Sequence, residues 1–161
     1  MTLFDPERRR VLAAGGTALT IGLAGCLGGD SDGGNGGDDD LAVTADSYLS
    51  GNDARGYDGT GDIVDETGNG SITIEVGVGD RGVAYGPAAV RVDAGTEVTW
   101  AWTGNGGAHN VVSDEGPTEL SSGNPVQGSD VTYVQTLEAG VYRYKCTIHT
   151  SVGMYGAVLV E

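Results

Sequence analysis

Beyond Tyr57, apolar and polar positions alternate with a period of two. Ile72, Ile74, Val76 and Val78 are separated by Thr73, Glu75 and Gly77, the pattern of a strand with one buried face. Val90 and Val92 flank Arg91, Asp93-Ala94-Gly95-Thr96 signals a turn, and Val98, Trp100 and Trp102 resume the alternation. The pattern continues through Val131 to Leu137, turns at Glu138-Ala139-Gly140, and places Tyr142, Tyr144 and Cys146 on one face. The run Ala157-Val158-Leu159-Val160 is apolar at every position, which suits a strand buried on both sides. No window of 11 or more residues after Cys26 carries a convincing helical period. Short strands with glycine-rich turns predict an all-β domain, an antiparallel sandwich or barrel, with Trp100 and Trp102 as core anchors.

The N-terminal third has a different character. Arg8-Arg9-Arg10 precedes an uncharged, weakly apolar run from Val11 to Gly25, too short to span a bilayer but suited to an export signal. The arginine pair resembles a twin-arginine signal, which implies export of a folded protein. Leu23-Ala24-Gly25-Cys26 resembles a lipobox, in which Cys26 is lipidated and becomes the first mature residue. A cleaved signal with an incidental cysteine and an uncleaved amphipathic anchor are the other readings. The Gly- and Asp-rich stretch that follows has too little apolar surface to offset its ordering entropy. The expected organisation is a signal over 1–25, a flexible acidic tether over 26–44 and a folded domain over 45–161.

Charge narrows the partners. The 161 residues carry a formal charge of −15, with 8 basic and 23 acidic side chains. The only basic cluster is Arg8 to Arg10, so a nucleic-acid binder, which needs clustered Lys and Arg, is excluded. The acidic excess extends through the domain and matches the lysine-poor surface of proteins that work in strong brine; a docking surface for a basic partner is the competing reading. Two cysteines exclude a disulfide scaffold.

The side chains that carry chemistry are few and gathered. His109 and His149 are the only histidines, Cys146 is the only cysteine beyond Cys26, and Met154 is the only methionine after the initiator. They fall in Cys146-x2-His149-x4-Met154 and in His109, which opens a further strand segment, Asn110 to Ser113, after a glycine-rich turn. One thiolate, two imidazoles and one thioether form a soft mixed set that suits copper, whereas zinc gains little from a thioether. Cys146 ends its strand, Thr147 to Gly153 form a loop, and Tyr155 starts the next strand, so one loop supplies three ligands and His109 meets them at the same end.

His109-Asn110-Val111-Val112 together with Tyr142-x-Tyr144-x-Cys146-Thr147-x-His149-x4-Met154-x-Gly156 resembles the cupredoxins, and within them the halocyanins, membrane-associated relatives of plastocyanin. Softer matches run from Tyr57-Asp58-Gly59-Thr60 through Val90 to Trp100. The resemblance implies a Greek-key antiparallel β-sandwich, the cupredoxin fold. It implies that His109, Cys146, His149 and Met154 bind one copper ion cycling between Cu+ and Cu2+. It implies that Asn110 and Thr147 tie the ligand-bearing segments together. It also implies that electrons pass through the exposed edge of His149, within an apolar patch of Ile148, Val152 and Gly153. Many relatives carry proline between the cysteine and the second histidine; here Ile148 stands there.

The expected function is a membrane-tethered blue-copper electron carrier, not an enzyme, probing no substrate at its closed site. Its expected partners are membrane redox complexes: a cytochrome complex, a terminal oxidase or a copper reductase. The expected location is the outer face of the cell membrane of a halophilic archaeon, as a monomer held by lipid at Cys26. The alternative is an extracytoplasmic copper carrier, which would use a more labile, Met- or His-rich site. A multicopper reductase or oxidase lacks the spare histidines it would need within this chain, and a structural lipoprotein has no use for the four donors together.

Overall fold

A computed structural model describes residues 36–161; the signal over 1–25, Cys26 and the tether as far as residue 35 lie outside the described residues. The alternating segments form two facing sheets. One contains, in spatial order, β1 (Val64–Asp65), β4 (Ala89–Val92), β9 (Tyr155–Val160), β8 (Gly140–Lys145) and β6 (Val112–Glu115). The other contains β3 (Ala84–Gly86), β2 (Ser71–Val78), β5 (Glu97–Trp102) and β7 (Thr132–Thr136). The core between them is the set the period-two pattern selects: Ile74 and Val76 from β2, Val98, Trp100 and Trp102 from β5, Tyr142 and Tyr144 from β8, and Val158 and Val160 from β9. Each strand keeps its apolar face inward because a one-residue slip would turn that whole face to water.

The sandwich and its strand positions match expectation, and pairing adds what periodicity cannot show. β8 runs antiparallel to both β6 and β9, but β2 pairs with β5 in parallel, as do β1 with β4 and β4 with β9. Crossing from one sheet to the other between successive strands brings sequence-distant strands side by side in the same direction. The sheets are therefore mixed. A smaller difference concerns the strand expected from Asn110: regular pairing begins only at Val112, and His109 is held instead by an isolated bridge to Val126.

A helix, α1 (Gly36–Gly51), occupies part of the segment expected to be a flexible tether, and no helix was expected after Cys26. The expectation failed because the helical stripe is short and built partly of small residues within an acidic, glycine-rich context. Leu41, Ala45, Tyr48 and Leu49 recur at helical spacing, and they pack on Ala88, Ala89, Ala157 and Leu159. Tertiary packing, rather than intrinsic propensity, carries a helix of this length. Asp38 and Asp39 lie in its first turn, where acidic groups favour the helix dipole. The apolar run Ala157 to Val160 is thereby explained: one face meets the opposite sheet and the other lies under α1.

Polar contacts orient the helix. The Tyr48 hydroxyl donates to Asp114 Oδ2 at 2.8 Å and sits 3.2 Å from the Tyr144 carbonyl, while the Tyr57 hydroxyl donates to Asp46 at 3.1 Å. After the helix, Arg55 N donates to the Gly153 carbonyl at 2.8 Å, so this N-terminal layer reaches the loop that follows Cys146. No helix among the described residues is long and apolar enough to cross a membrane.

Leu49 is fully buried beneath α1, whereas Val43 on the same helix is 61% exposed. Leu49→Ala is expected to lower unfolding free energy by about 2–5 kcal/mol, and Val43→Ala by no more than about 0.5 kcal/mol. Urea denaturation followed by tryptophan fluorescence measures both; equal effects would show that α1 does not dock on β9.

Candidate metal centre

Cys146 follows the last residue of β8, and its side chain continues the inward face set by Tyr142 and Tyr144. The chain then turns back within eight residues into β9. Three backbone hydrogen bonds close this loop: His149 N donates to the Cys146 carbonyl at 3.1 Å, Met154 N to the His149 carbonyl at 3.2 Å, and Cys146 N to the Met154 carbonyl at 3.1 Å. The three donor residues are thus fastened to one another in a circuit. A short 3-10 turn, Thr150–Val152, lies inside it, and Gly153 completes the reversal at φ 80°. A side chain at Gly153 would both strain that backbone and collide with the Asp53 carbonyl.

His109 arrives from the other side of the sandwich end. Its backbone exchanges two 2.9 Å hydrogen bonds with Val126, and its carbonyl accepts from Trp102 Nε1 at 3.1 Å. The Nε2 atom lies 2.8 Å from the Asn105 carbonyl. A carbonyl only accepts, so Nε2 carries the proton and Nδ1 keeps its lone pair for the site. Gly77 makes room for this arrangement: at φ 95°, a Cβ there would lie 2.7 Å from the Asn105 carbonyl oxygen and 3.2 Å from His109 Nε2. An isolated glycine within an alternating strand is a signal of close backbone approach, and this one could have been read from the sequence.

Hydrogen bonds between Asn110 and Thr147 join the segment that carries His109 to the loop that follows Cys146. Asn110 Oδ1 accepts from Thr147 N at 2.9 Å and from Thr147 Oγ1 at 3.2 Å, while Asn110 Nδ2 donates to the Gly123 carbonyl at 3.0 Å. Tyr85, which sequence reasoning did not single out, donates its hydroxyl to the Asn110 carbonyl at 2.7 Å. No spacing rule connects Tyr85 to Asn110, so this contact was visible only in three dimensions.

His109, Cys146 and Met154 are fully buried and His149 is partly exposed. The donor atoms form a triangle: His109 Nδ1 to His149 Nδ1 3.2 Å, Cys146 Sγ to His149 Nδ1 3.5 Å, and Cys146 Sγ to His109 Nδ1 3.9 Å. Its circumcentre lies about 2.1 Å from each corner, within the range of about 2.0–2.3 Å for metal bonds to imidazole and thiolate. Two imidazoles, one thiolate and the thioether of Met154 form a donor set that would suit copper better than zinc, which gains little from a thioether. Burial, and secondarily the neighbouring His109 ring, hold His149 below the usual imidazole range, which keeps it neutral and ready to ligate.

Residues 72–161 match the model of copper-binding proteins of the plastocyanin/azurin family. The chain belongs to that family. It is 49% identical over 164 residues to a halocyanin from Natronomonas pharaonis, covering 98% of this chain and 99% of that protein. It is 33% identical over 100 residues to plastocyanin B'/B'' from Nicotiana tabacum, covering 56% of this chain and 100% of that one. The oxidised plastocyanin of the fern Dryopteris crassirhizoma superposes with a TM-score of 0.46 at 23% identity, covering 56% of this chain and 100% of the fern chain. This halocyanin-type cupredoxin is an electron-transfer copper protein, not an enzyme.

The expected exit patch of this cupredoxin is only partly at the surface. Ile148 is 53% exposed and Val152 is half-buried against the core. Gly153 is buried, because the segment after α1 covers it through Asp53 and Arg55. Gly153 therefore serves the turn rather than the patch.

Removing the Asn110 side chain leaves the Thr147 and Gly123 groups without their partner. Asn110→Ala is expected to destabilise the metal-free protein by about 1–3 kcal/mol and to weaken copper binding about 10–100-fold. Denaturation and competitive copper titration read the two effects; unchanged values in both would show that the clamp is not needed.

Proposed function

We propose that this cupredoxin is a membrane-tethered carrier that moves one electron at a time between redox complexes of a respiratory chain. The reading is supported above all by the convergence of three donor atoms within 3.9 Å of one another on a loop closed by its own backbone. His109, Cys146 and His149 would hold the copper, with Met154 as the weak fourth ligand. Bound there, the ion supplies a one-electron couple between Cu+ and Cu2+.

Everything else is the work of the chain. The closed loop and the Asn110 clamp keep the donors in place when the charge of the site changes, so little of the protein has to reorganise. Burial of His109, Cys146 and Met154 keeps water and small molecules from the donors, which favours outer-sphere exchange over inner-sphere chemistry or release of the metal to a recipient. His149 is the partly exposed member of the set, and Ile148 beside it gives a dry contact for a partner. Electrons pass through this edge.

The tether reading rests on the sequence. Residues 1–25 direct twin-arginine export, lipid on Cys26 anchors the chain to the outer face of the cell membrane, and the segment to residue 35 lets the domain reach cytochrome complexes, terminal oxidases or copper reductases there. Since a single acyl chain binds only marginally, stable anchoring needs two. The acidic surface keeps the monomer soluble in the strong salt of a halophilic archaeon, where screening shortens to about 3 Å at 1 M.

One panel of variants tests the carrier. Cys146→Ala is expected to lose the intense visible absorption of the copper-loaded oxidised protein, Met154→Leu to keep a coloured centre at a shifted potential, and Ile148→Asp to keep the spectrum while slowing exchange with the membrane partner. Spectroscopy, voltammetry and stopped-flow kinetics separate the three, and a Cys146→Ala protein that stays coloured would refute the site.

The anchor has its own test. Cys26→Ser is expected to move the protein from the membrane fraction to the medium, read by fractionation and by the mass of the mature N-terminus. Full retention on membranes would refute lipid anchoring at Cys26.

A further inference from the structure

Only five cationic side chains occur in this acidic chain beyond residue 36, and their positions are uneven. Arg91 pairs with Glu161 at 3.1 Å, Arg143 pairs with Glu115, and Lys145 pairs with Asp114. Among the described residues, no carboxylate lies within ion-pair distance of Arg55 or Arg81. Both line a single cleft of about 400 Å³, together with Val83, Tyr85 and one carboxylate, Asp80.

Both walls of the cleft are fastened to the metal centre. Arg55 donates from N to the Gly153 carbonyl at 2.8 Å and from Nε to the Val152 carbonyl at 2.5 Å, so it grips the loop that carries His149 and Met154. Its Nη groups have no partner among the described residues. On the opposite wall, the turn carrying Arg81 packs on the loop that holds the His109 ring: a Cβ on Gly82 would lie 2.5 Å from Gly106 N, and the Asn105 carbonyl beside it takes the His109 Nε2 proton.

We propose that this cleft receives a carboxylate-bearing face of the protein with which the carrier exchanges electrons, with Arg55 and Arg81 as the contact cations. The proposal rests on the electron-carrier reading and names the chemistry of its partner. A guanidinium binds a carboxylate through paired, charge-assisted hydrogen bonds. Such contact pairs survive brine, whereas steering across several ångströms does not. A polyanion such as a nucleic acid would be repelled by the chain's net charge of −15, but a protein offering a few carboxylates matches two cations in a cleft with one carboxylate of its own. Docked there, the partner meets Arg55, which holds the loop carrying His149 and Met154 through the Val152 and Gly153 carbonyls.

The test uses copper-loaded, reduced protein at the lowest salt at which it remains folded. It is oxidised in stopped flow by anionic hexacyanoferrate(III) or by cationic tris(phenanthroline)cobalt(III). Arg81→Glu is expected to slow the anionic oxidant about tenfold, not to slow the cationic one, and to leave the reduction potential in place. The double variant Thr118→Glu with Thr132→Glu adds the same negative charge at exposed positions outside the cleft and is expected to change the anionic rate far less. An octaglutamate peptide is expected to compete with hexacyanoferrate(III) in the parent and not in Arg81→Glu. Equal slowing by the two charge changes overturns the proposal, as does competition by acetate that matches the peptide at equal carboxylate concentration, which marks a small-anion site. A copper-loaded protein without a reversible wave refutes the carrier reading instead; amide shifts on peptide titration then decide the cleft, upheld by shifts across residues 79–88 and overturned by shifts confined elsewhere.

Discussion

Three lone-pair donors crowded within 3.9 Å of one another gain nothing from proximity until a cation joins them. The fold must therefore hold them together by other bonds, and the rest of the structure follows from how it does so. The backbone circuit through Cys146, His149 and Met154 fixes three donor residues locally, while the Asn110 contacts with Thr147 fix that loop against the segment bearing the fourth. The Asn105 carbonyl then selects the His109 tautomer that leaves Nδ1 free. Each of these bonds joins groups of the chain itself, so the polypeptide positions the donors. That is the condition for a site whose shape changes little when its charge does.

The sandwich supplies the frame for those bonds. Trp102 and Tyr85 come from the sheet opposite Cys146, and both spend their polar atoms on the backbone of the His109-Asn110 pair. A buried aromatic side chain with a polar tip needs a partner, and here the partner is the strand end that carries a donor. Packing between the sheets and placement of the histidine are consequently one event. The helix α1 extends this outward: it covers the second face of β9, and the chain leaving it seals Gly153.

What the sequence made legible divides along the same physical lines. The face of each strand was readable because alternation reports burial directly, and the donor set was readable because four rare side chains were gathered, three of them within nine residues. Parallel pairing was not readable, since alternation says which way a side chain points and nothing about which strand lies beside it. The helix was hidden by its composition: Leu41, Ala45, Tyr48 and Leu49 form a stripe, but glycine and aspartate around it lower the local preference that would announce it. Its presence was nevertheless implied by Ala157 to Val160, since a strand apolar on both faces requires a second cover. Gly153 was misplaced for a related reason, because its burial depends on Asp53, about a hundred residues earlier.

Ile148 raises the question of what stiffens the loop where many relatives have proline. Proline restrains one dihedral angle and removes a donor. In this chain the neighbouring amide of His149 is already committed to the Cys146 carbonyl, and the return amides of Met154 and Cys146 close the ring. Restraint is distributed over three hydrogen bonds and a positive-φ glycine, so it does not depend on the residue at position 148. That position is released to serve the surface, and an exposed isoleucine there gives the histidine edge an apolar neighbour in a chain with 23 acidic side chains. The same division of labour accounts for Arg55: its backbone and Nε hold the loop from outside, leaving only its terminal nitrogens for whatever approaches.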